Sequence, residues 1–389
     1  MEAINHIYLD YAATTPVDPE VVGVMTPYFS SNFGNASSLH SFGKEAKEAV
    51  ERARMQVASL THSPASEIIF TSSGTESNNT AVKGTALAMR RRGNHIITSA
   101  IEHSSVFEPI LFMKELGFDA TFIDVDHFGM VDPEDIRKAV TPKTILISVM
   151  HANNEFGTIQ PIFEIGTIAR EHDICCHVDM VQTFGHLPID MSRLPVDLAS
   201  FSAHKLYGPK GVGGLYARTG TKIHPIILGG HQENGRRAST HNVPGIVGFG
   251  KAAEIASLRM HEETASLKKF RDRLIEGLYK DMRPVQFNGH PAKRLPGNVH
   301  ISVPGVPGDL MLSGLAQNGI ACSAGSACSA GNTGSSRVLN ALGISGDLAG
   351  NSLRFSLGRH TRPEDIDRVI DVLPAIVKEL RDKKQGAAK

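Results

Sequence analysis

The chain has 389 residues, with 40 Lys plus Arg against 40 Asp plus Glu, so its formal net charge is zero. This length is large for one hydrophobic core and predicts two domains. Without net positive charge, the chain has no overall field to hold nucleic acid or an anionic membrane. No run approaches the roughly 18 apolar residues that span a bilayer, and MEAINHIYLDYAATTP lacks the pattern of a signal peptide. We therefore expect a soluble protein.

Short apolar runs alternate with amphipathic segments from about residue 67 to about residue 220. Six runs are typical of strands buried on both faces, namely EIIFTSS, HIITSAIEH, DATFIDV, TILISVMHANN, DICCHVDM and DLASFSAHK. Between them, ESNNTAVKGTALAMRRRG and PIFEIGTIAREH have helical spacing. This alternation predicts an α/β fold with a largely parallel sheet. In such sheets ligands bind beyond the carboxyl ends of the strands, so the polar residues that follow each run are the candidates for function.

A long helical pattern from Gly245 to Met282 leads into a second, smaller domain. That domain has two strand-like segments, NVHISV and NSLRFSLG, and a last helix in PEDIDRVIDVLPAIVKELRDK. We predict a large domain over residues 15–255 and a small domain over 1–14 and 256–389.

Four cysteines bear on compartment and metal binding. Cys175 and Cys176 lie in an apolar run and are predicted to be buried thiols. Cys322 and Cys328 have no common zinc spacing and no second pair, so we predict no resident metal. Few cysteines and no export signal indicate a reducing cytoplasm.

The stretch EIIFTSSGTESNN ends a strand in small residues, and Thr75 opens a helix. Free backbone N–H groups and the helix dipole, with the Ser and Thr hydroxyls nearby, make a site for a phosphate around Gly74 and Thr75. An ordinary N-cap at Thr75 is the alternative.

The stretch HVDMVQ places Asp179 and Gln182 just after a buried strand. A carboxylate there can pair with a protonated ring nitrogen. A helix cap or a surface aspartate is the alternative.

The stretch ASFSAHKLYGPKG ends another strand with Ser202, His204 and Lys205. A desolvated lysine has a lowered pKa and becomes an amine nucleophile. A lysine that extends to solvent is the alternative. A phosphate site, a carboxylate for a ring nitrogen and a lysine for a Schiff base, all at strand ends, are together the parts that hold pyridoxal 5'-phosphate.

His103, in AIEHSSVF, ends a further predicted strand and would face the same crevice. A histidine there can stack on a flat ring and move protons near neutral pH, and a core histidine is the alternative. In NSLRFSLG, Arg354 alternates with apolar residues on the polar face of a strand. It can clamp a substrate carboxylate, and a surface salt bridge is the alternative.

The segment 321–336, within GIACSAGSACSAGNTGSSRV, has no charged or large apolar side chain. We expect it to be mobile, with exposed cysteines. A thiol on such a segment suits transfer chemistry, and a plain linker is the alternative.

Ten blocks of the chain, in order, resemble the cysteine desulfurases of the NifS/IscS type, within the class V, fold-type I pyridoxal-phosphate enzymes. The blocks cover nearly the whole chain, and they are YLDYAATTP, GNASSLHSFGKEA, FTSSGTESNN, AIEHSSV, MHANNEFGTIQPI, HVDMVQ, SFSAHKLYGPKGVGGLY, STHNVPGIVGFGKA, SAGSACSAG and LRFSLGR. The resemblance implies a large domain with a mostly parallel seven-stranded sheet flanked by helices, and a smaller α+β domain.

The resemblance also implies roles for individual residues toward the cofactor. Lys205 would form the Schiff base with pyridoxal 5'-phosphate, and Asp179 would bind its ring nitrogen. His103 would stack on the ring, and Gln182 would contact its phenolic oxygen. The implied phosphate ligands are Gly74, Thr75, Ser202, His204 and, reaching across a homodimer, Thr240.

For the reaction, Asn154 (also placed beside the cofactor) and Arg354 would fix the carboxylate of L-cysteine. Cys328 would attack the substrate sulfur, giving alanine and a persulfide, with His103 managing the thiol proton. The segment would then carry the sulfur to an acceptor protein, such as an iron–sulfur scaffold or a thiolation protein. Cys328 is the one candidate for a transient iron–sulfur ligand, and Cys322 is incidental.

Three residues depart from the family pattern. Met180 stands where alanine is commoner, and RRASTHN replaces an RSGTEN-like block, so that Ser239 and His241 alter the phosphate region. A selenocysteine lyase or a cysteine C–S lyase of the same fold, and a non-enzymatic thiol carrier, are the alternative functions.

Overall fold

A computed structural model describes residues 6–324, 336–344 and 346–387 of the chain. The strands are β1 (Ile7–Tyr8), β2 (Ile68–Thr71), β3 (His95–Ser99), β4 (Asp119–Ile123), β5 (Thr144–Met150), β6 (Cys175–Asp179), β7 (Leu198–Ser202), β8 (Gly213–Ala217), β9 (Gln286–Asn288), β10 (Asn298–Ser302), β11 (Ile320–Ala321), β12 (Ser323–Ala324) and β13 (Ser352–Ser356).

The α-helices are α1 (Pro19–Met25), α2 (Ser41–Leu60), α3 (Gly74–Asn79), α4 (Thr85–Met89), α5 (Ser104–Glu115), α6 (Pro133–Ala139), α7 (Ile162–Glu171), α8 (Val243–Asp281), α9 (Gly308–Gln317), α10 (Arg337–Ala341), α11 (Asp347–Gly350) and α12 (Pro363–Ala387). A π-helical turn, Thr80–Gly84, joins α3 to α4. Short 3-10 turns cover Thr26–Phe29, Ala65–Glu67, Ala203–Lys205 and Gln232–Gly235. No helix in these described ranges is both long enough and apolar enough to cross a membrane.

The central sheet has seven strands in the order β2-β8-β7-β6-β5-β3-β4. Every pairing is parallel except those of β8, which runs antiparallel to both β2 and β7. The predicted α/β fold with a mostly parallel seven-stranded sheet is therefore confirmed. The apolar-run pattern had missed β8, because this strand begins with two glycines. A Cβ on Gly213 would lie 2.5 Å from the carbonyl carbon of Ser73, so a larger residue there would push β8 away from the start of α3.

Burial on both faces holds for the inner strands but is wrong for β4. This strand forms the edge of the sheet, and Asp119 is exposed while Ala120, Thr121 and Phe122 are half-buried. Only β3 pairs with it among the described strands, so its outer edge and part of its surface remain open.

Two hydrophobic clusters contact successive halves of the long helix α8. Phe249 in its first half packs with the core of the central sheet, whereas Leu274 in its second half packs with the smaller sheet β12-β13-β10-β9. The predicted helix Gly245–Met282 is confirmed with bounds Val243–Asp281, capped by the Asn242 side chain, which accepts a hydrogen bond from the Gly245 N–H at 3.2 Å. The two clusters support the domain division, which stays a prediction.

The start of the segment 321–336 differs from the prediction of a mobile loop. Ala321 belongs to β11, which pairs with β1, and Ser323 belongs to β12, which pairs with β13. Cys322 between them is half-buried against the smaller core, so the expectation of an exposed thiol is wrong for this residue. Backbone pairing holds this stretch although its side chains are small. Residues 325–335, and Cys328 with them, lie outside the described residues.

Candidate functional site

The carboxyl ends of β2, β6 and β7 bring together three of the predicted blocks at one edge of the central sheet. A Cβ on Gly74 would lie 3.4 Å from the Cβ of Ser202 and 2.6 Å from a methyl group of Val181. Only glycine allows this close approach of the start of α3 to the other two strand ends. The predicted meeting of the blocks at the sheet edge is thus observed.

The start of α3 forms a cup of small residues. Ser73, rather than Thr75, is the N-cap, since its hydroxyl accepts a hydrogen bond from the Glu76 N–H at 3.1 Å. The alternative of an N-cap at Thr75 is therefore wrong, and Thr75 is exposed in the first turn. The buried Oγ of Ser202 has no hydrogen-bond partner among the described residues. A buried hydroxyl without a partner beside a helix N-terminus suits a bound anion.

Asp179 lies at the end of β6 with 6% of its surface exposed, so the alternative of a surface aspartate is wrong. Its Oδ1 accepts a hydrogen bond from the Val181 N–H at 2.9 Å, and its Oδ2 accepts one from the Asn78 side chain at 2.8 Å. The second contact joins β6 to α3. The carboxylate is thus held in one orientation at the sheet edge.

Lys205 follows β7 in a 3-10 turn, and its side chain is half-buried rather than extended into open solvent. Its Nζ donates hydrogen bonds to the main-chain carbonyls of Ala12 and Ala13, the latter at 2.8 Å. The Gln182 side chain donates to the same carbonyl of Ala12 at 3.2 Å. Residues from the first block of the chain therefore bring the Lys205 amine and the Gln182 amide together.

His204 packs beside Lys205, with its Nδ1 3.1 Å from the hydroxyl of Thr14. Burial, together with the nearby cations Lys205 and Lys210, lowers the pKa of His204 to about 4. The imidazole is therefore neutral at physiological pH and has one N–H group to donate.

His103 caps α5, and its Nδ1 accepts a hydrogen bond from the Ser105 N–H at 3.1 Å. The Ser105 hydroxyl lies 2.7 Å from the same nitrogen. Burial lowers the pKa of His103, and the positive charges of Lys205 and Arg337 act in the same direction against the opposing charge of Asp179. The alternative was a histidine in an apolar core. It does not fit His103, because the charges of Asp179 and Lys205 both affect the pKa of this ring.

Arg354 is only 1% exposed, so the alternative of a surface salt bridge is wrong. One terminal nitrogen forms an ion pair with Asp10 at 2.7 Å, and the other donates to the main-chain carbonyl of Asn154 at 3.0 Å. Its Nε has no partner among the described residues. The predicted polar face of β13 exists, but it is buried. Its Arg354 contacts Asp10 and the main chain of Asn154 instead of solvent.

The segment from Gln232 to Asn242 carries Thr240, whose side chain is exposed in this single chain. Arg237 forms a two-point ion pair with Glu76 of α3, with distances of 2.8 and 3.1 Å. The departing residue His241 binds Glu233 at 2.8 Å, and Ser239 has a φ of 106°, where glycine is favoured. The segment is therefore anchored from both sides of Thr240. Met180, the third departure, is fully buried in the larger core.

Sequence reasoning missed Asn78, Ser105 and Asp10. Asn78 lies four residues after Gly74, on the same buried face of the helix, and this spacing was a signal that could have found it. Ser105 was inside a quoted block but carried no distinguishing pattern. The pairing of Asp10 with Arg354 joins positions 344 residues apart, and no local pattern reports such a contact.

The thiols in the described ranges are partly or fully shielded from water. Burial raises the pKa of Cys322 to about 12 and raises that of Cys175 well above its ordinary value. Cys176 is buried and Cys175 half-buried. No group of three or more His, Cys, Asp or Glu side chains in the described part of the chain is placed to hold a metal ion.

An α/β fold whose sheet brings a cup of small residues, a carboxylate and a lysine together at its carboxyl edge is typical of enzymes that bind a small molecule there. The sequence profile of the aminotransferase class-V family matches residues 7–369. The chain belongs to this family, which confirms the predicted membership.

Three known proteins illustrate the similarity. The chain is 51% identical over 377 residues to a protein named cysteine desulfurase IscS from Dictyoglomus turgidum, covering 97% of this chain and 96% of the relative. A solved structure described as a NifS-like protein superposes with a TM-score of 0.91 at 37% identity, covering 96% of this chain and all of the other. A structure of SspA in complex with cysteine gives a TM-score of 0.81 at 36% identity, covering 92% of this chain and all of the other.

Proposed function

We propose that the chain is a cysteine desulfurase that uses pyridoxal 5'-phosphate to convert L-cysteine into L-alanine and leaves the sulfur as a persulfide on Cys328. The observation that supports this most is the meeting of Lys205, Asp179 and the Gly74–Ser202 cup at one sheet edge. The relatives named cysteine desulfurase, at about half identity over nearly the whole chain, support the same activity. The overall conversion balances, since the thiol of Cys328 gains one sulfur atom and the substrate loses it.

The residues present fit the cofactor. The partnerless Ser202 hydroxyl and the cup at Gly74 suit its phosphate, and the fixed carboxylate of Asp179 suits a protonated ring nitrogen. When bound, pyridoxal 5'-phosphate supplies an aldehyde for the substrate amine and a ring that takes up electrons as bonds to the substrate break. The residues we assign to holding it are Gly74, Thr75, His103, Asn154, Asp179, Gln182, Ser202, His204, Lys205 and Thr240.

Lys205 is the amine that we assign both to the cofactor and to the movement of the substrate Cα proton. Its half-buried position between two carbonyls supports this role, because those carbonyls hold the amine at the sheet edge. His204 beside it is neutral at physiological pH, so it can donate an N–H group to a phosphate without adding a positive charge next to the amine.

Arg354 and Asn154 are assigned to the substrate carboxylate. The contact between the guanidinium and the Asn154 carbonyl places the two residues side by side, and the partnerless Nε of Arg354 leaves a donor for a carboxylate oxygen. Asp10 fixes the guanidinium through the ion pair at 2.7 Å.

Cys328 is assigned as the nucleophile, because the three thiols in the described residues are poorly suited to this role. The thiolate is the attacking species, and burial raises the pKa of Cys322, Cys175 and Cys176. A thiol whose pKa is about 12 is almost entirely protonated at neutral pH.

We further propose a homodimer in the cytoplasm, with a sulfur-acceptor protein as partner. Thr240 is exposed on a segment anchored by the Arg237–Glu76 ion pair, which suits a residue that completes a second subunit's phosphate site. A free catalytic thiol requires a reducing compartment. A persulfide needs an acceptor thiol or cluster scaffold before the next turnover.

The test is to incubate the purified protein with L-cysteine, quantify alanine and sulfide, and map added sulfur by mass spectrometry. A desulfurase shows a mass gain of one sulfur atom on Cys328, and a Cys328→Ser variant loses alanine formation from cysteine. Retained activity in Cys328→Ser would instead identify a lyase. Protein that lacks a borohydride-sensitive visible band would point to a non-enzymatic thiol carrier.

A further inference from the structure

A chain of hydrogen bonds runs from β6 through α3 to α5 and ends at His103. The Asn78 Nδ2 lies 2.8 Å from Asp179 Oδ2 and 2.8 Å from Ser105 Oγ. Ser105 Oγ lies 2.7 Å from His103 Nδ1. Asn78 is 1% exposed and Ser105 is 8% exposed, so water does not compete freely for these bonds. We call Asn78 and Ser105 together the His103 support.

The direction of each bond follows from the chemistry of its ends. The Asp179 carboxylate only accepts, so the amide of Asn78 must face it with the NH₂ group. The second amide hydrogen then points to Ser105 Oγ, which accepts it and directs its own hydrogen to His103 Nδ1. The Ser105 backbone N–H donates to the same nitrogen at 3.1 Å and cannot reverse. His103 Nδ1 is thus an acceptor, and the neutral ring carries its proton on Nε2.

We propose that Asn78 and Ser105 are positioning residues that hold His103 as a neutral Nε2–H donor, so that His103 offers a hydrogen bond to bound groups instead of taking the thiol proton. The reaction in which His103 would act rests on the proposed function, whereas the hydrogen bonds from Asp179 to His103 do not depend on it. It alters the expectation that His103 manages the thiol proton, because Nε2 already holds a proton and Nδ1 faces two donors.

Burial is the largest influence on the pKa of His103 and opposes a second proton on the ring. Lys205, after β7, and Arg337, in α10, oppose a second proton on the ring, whereas Asp179 in β6 favours one. Glu102, next to His103 in the chain, is fully buried, and burial raises its pKa to about 8, so it is mostly neutral at pH 7. A protonated His103 would also place its Nδ1–H against the Ser105 N–H.

The first experiment compares Ser105→Ala with Ser105→Thr. Alanine removes the hydroxyl that stabilises neutral His103, so its pKa should rise by roughly half to one unit, as expected for one hydrogen bond. This pKa is read from the pH dependence of the His103 ¹⁵N signals, and threonine should restore it. Ser148→Ala is the matched control, because it removes a 2.8 Å hydroxyl contact to buried His177 in the same sheet and should leave the His103 pKa unchanged. A His103 pKa that stays in place in Ser105→Ala would overturn the proposal.

The second experiment replaces His103 to distinguish a hydrogen-bond donor from a general base at this position. Glutamine places an amide N–H near the position of Nε2, so His103→Gln should keep activity within about tenfold of the wild type. His103→Phe, which can stack but cannot donate, should lose more. A residue that must accept a proton contributes about 10²–10⁴-fold, and a loss of that size in both variants would contradict a donor role.

A third readout needs no turnover. Protein labelled with ¹⁵N-histidine should show one imidazole with unprotonated Nδ1 and protonated Nε2 across neutral pH, assigned by its disappearance in His103→Gln. A protonated Nδ1 at neutral pH would refute the proposal. If the wild type makes no alanine while this signal is present, the proposed function fails and the assignment of the support stands.

Discussion

Glu233 is the residue whose substitution tests the anchoring of the Thr240 segment most directly. Its side chain is 1% exposed and accepts hydrogen bonds from both terminal nitrogens of Arg54, at 2.6 and 2.8 Å. His241 donates to it at 2.8 Å, and the Phe70 backbone N–H donates at 2.9 Å. Glu233→Gln keeps the shape but removes the charge and turns an NH₂ group toward donors.

The magnitude follows from the pKa of this carboxyl. Burial raises it, but the hydrogen bonds from His241 and Arg54 outweigh burial and bring it from 4.5 to about 2. A pKa lowered in the folded state stabilises the fold above pH 4.5, and this stabilisation is lost as the pH falls toward 2. The shift corresponds to roughly 3 kcal/mol at pH 7, within the range of about 3–5 kcal/mol for removing one partner of a buried pair.

The assay is urea unfolding at a fixed protein concentration, followed by circular dichroism at pH 7 and pH 4. Glu233→Gln should lower the free energy of unfolding by roughly 3 kcal/mol at pH 7, and by about 1 kcal/mol less at pH 4, where the unfolded wild type is partly protonated. Glu171→Gln is the control, since Glu171 pairs with Arg137 at 2.6 Å but is 48% exposed, and it should cost less than about 1 kcal/mol. A loss below 1 kcal/mol for Glu233→Gln, unchanged between the two pH values, would refute this reasoning.

Three further substitutions test other parts of the site. Ser239→Gly should raise the free energy of unfolding by up to about 1 kcal/mol in the same urea assay, because the φ of 106° strains serine but not glycine, and a decrease would contradict this. Arg354→Lys should raise KM for L-cysteine roughly 10–100-fold in steady-state alanine assays, since lysine lacks the planar fork that binds Asp10 and a carboxylate together, and an unchanged KM would remove Arg354 from substrate binding. Cys322→Ser should keep alanine formation within about twofold, because a thiol of pKa about 12 supplies little thiolate, and a large loss would show that Cys322 takes part in sulfur transfer.

Much of the candidate site could be predicted because parallel strands end at a common edge. Gly74, Asp179 and Lys205 each follow an apolar run, and short-range periodicity was enough to place each of them at a strand end. Resemblance to a family then supplied roles that periodicity cannot. The local pattern failed where glycine replaced apolar residues, as in β8, and at the edge strand β4, where half-exposed positions look the same as buried ones in sequence.

The amino-acid sequence alone therefore determined the fold class, the family and the strand ends that carry the site, because these depend on patterns within a few residues. Only the tertiary structure decided how those residues are held. The Asp10–Arg354 pair joins residues that are 344 positions apart in the sequence. The Arg54–Glu233 pair joins residues 179 positions apart, and the Asn78–Asp179 hydrogen bond joins residues 101 positions apart. Such contacts form because packing excludes water, so that buried polar groups must bind other polar groups that are close in space. The separation of two residues in the sequence does not indicate whether they become close in this way.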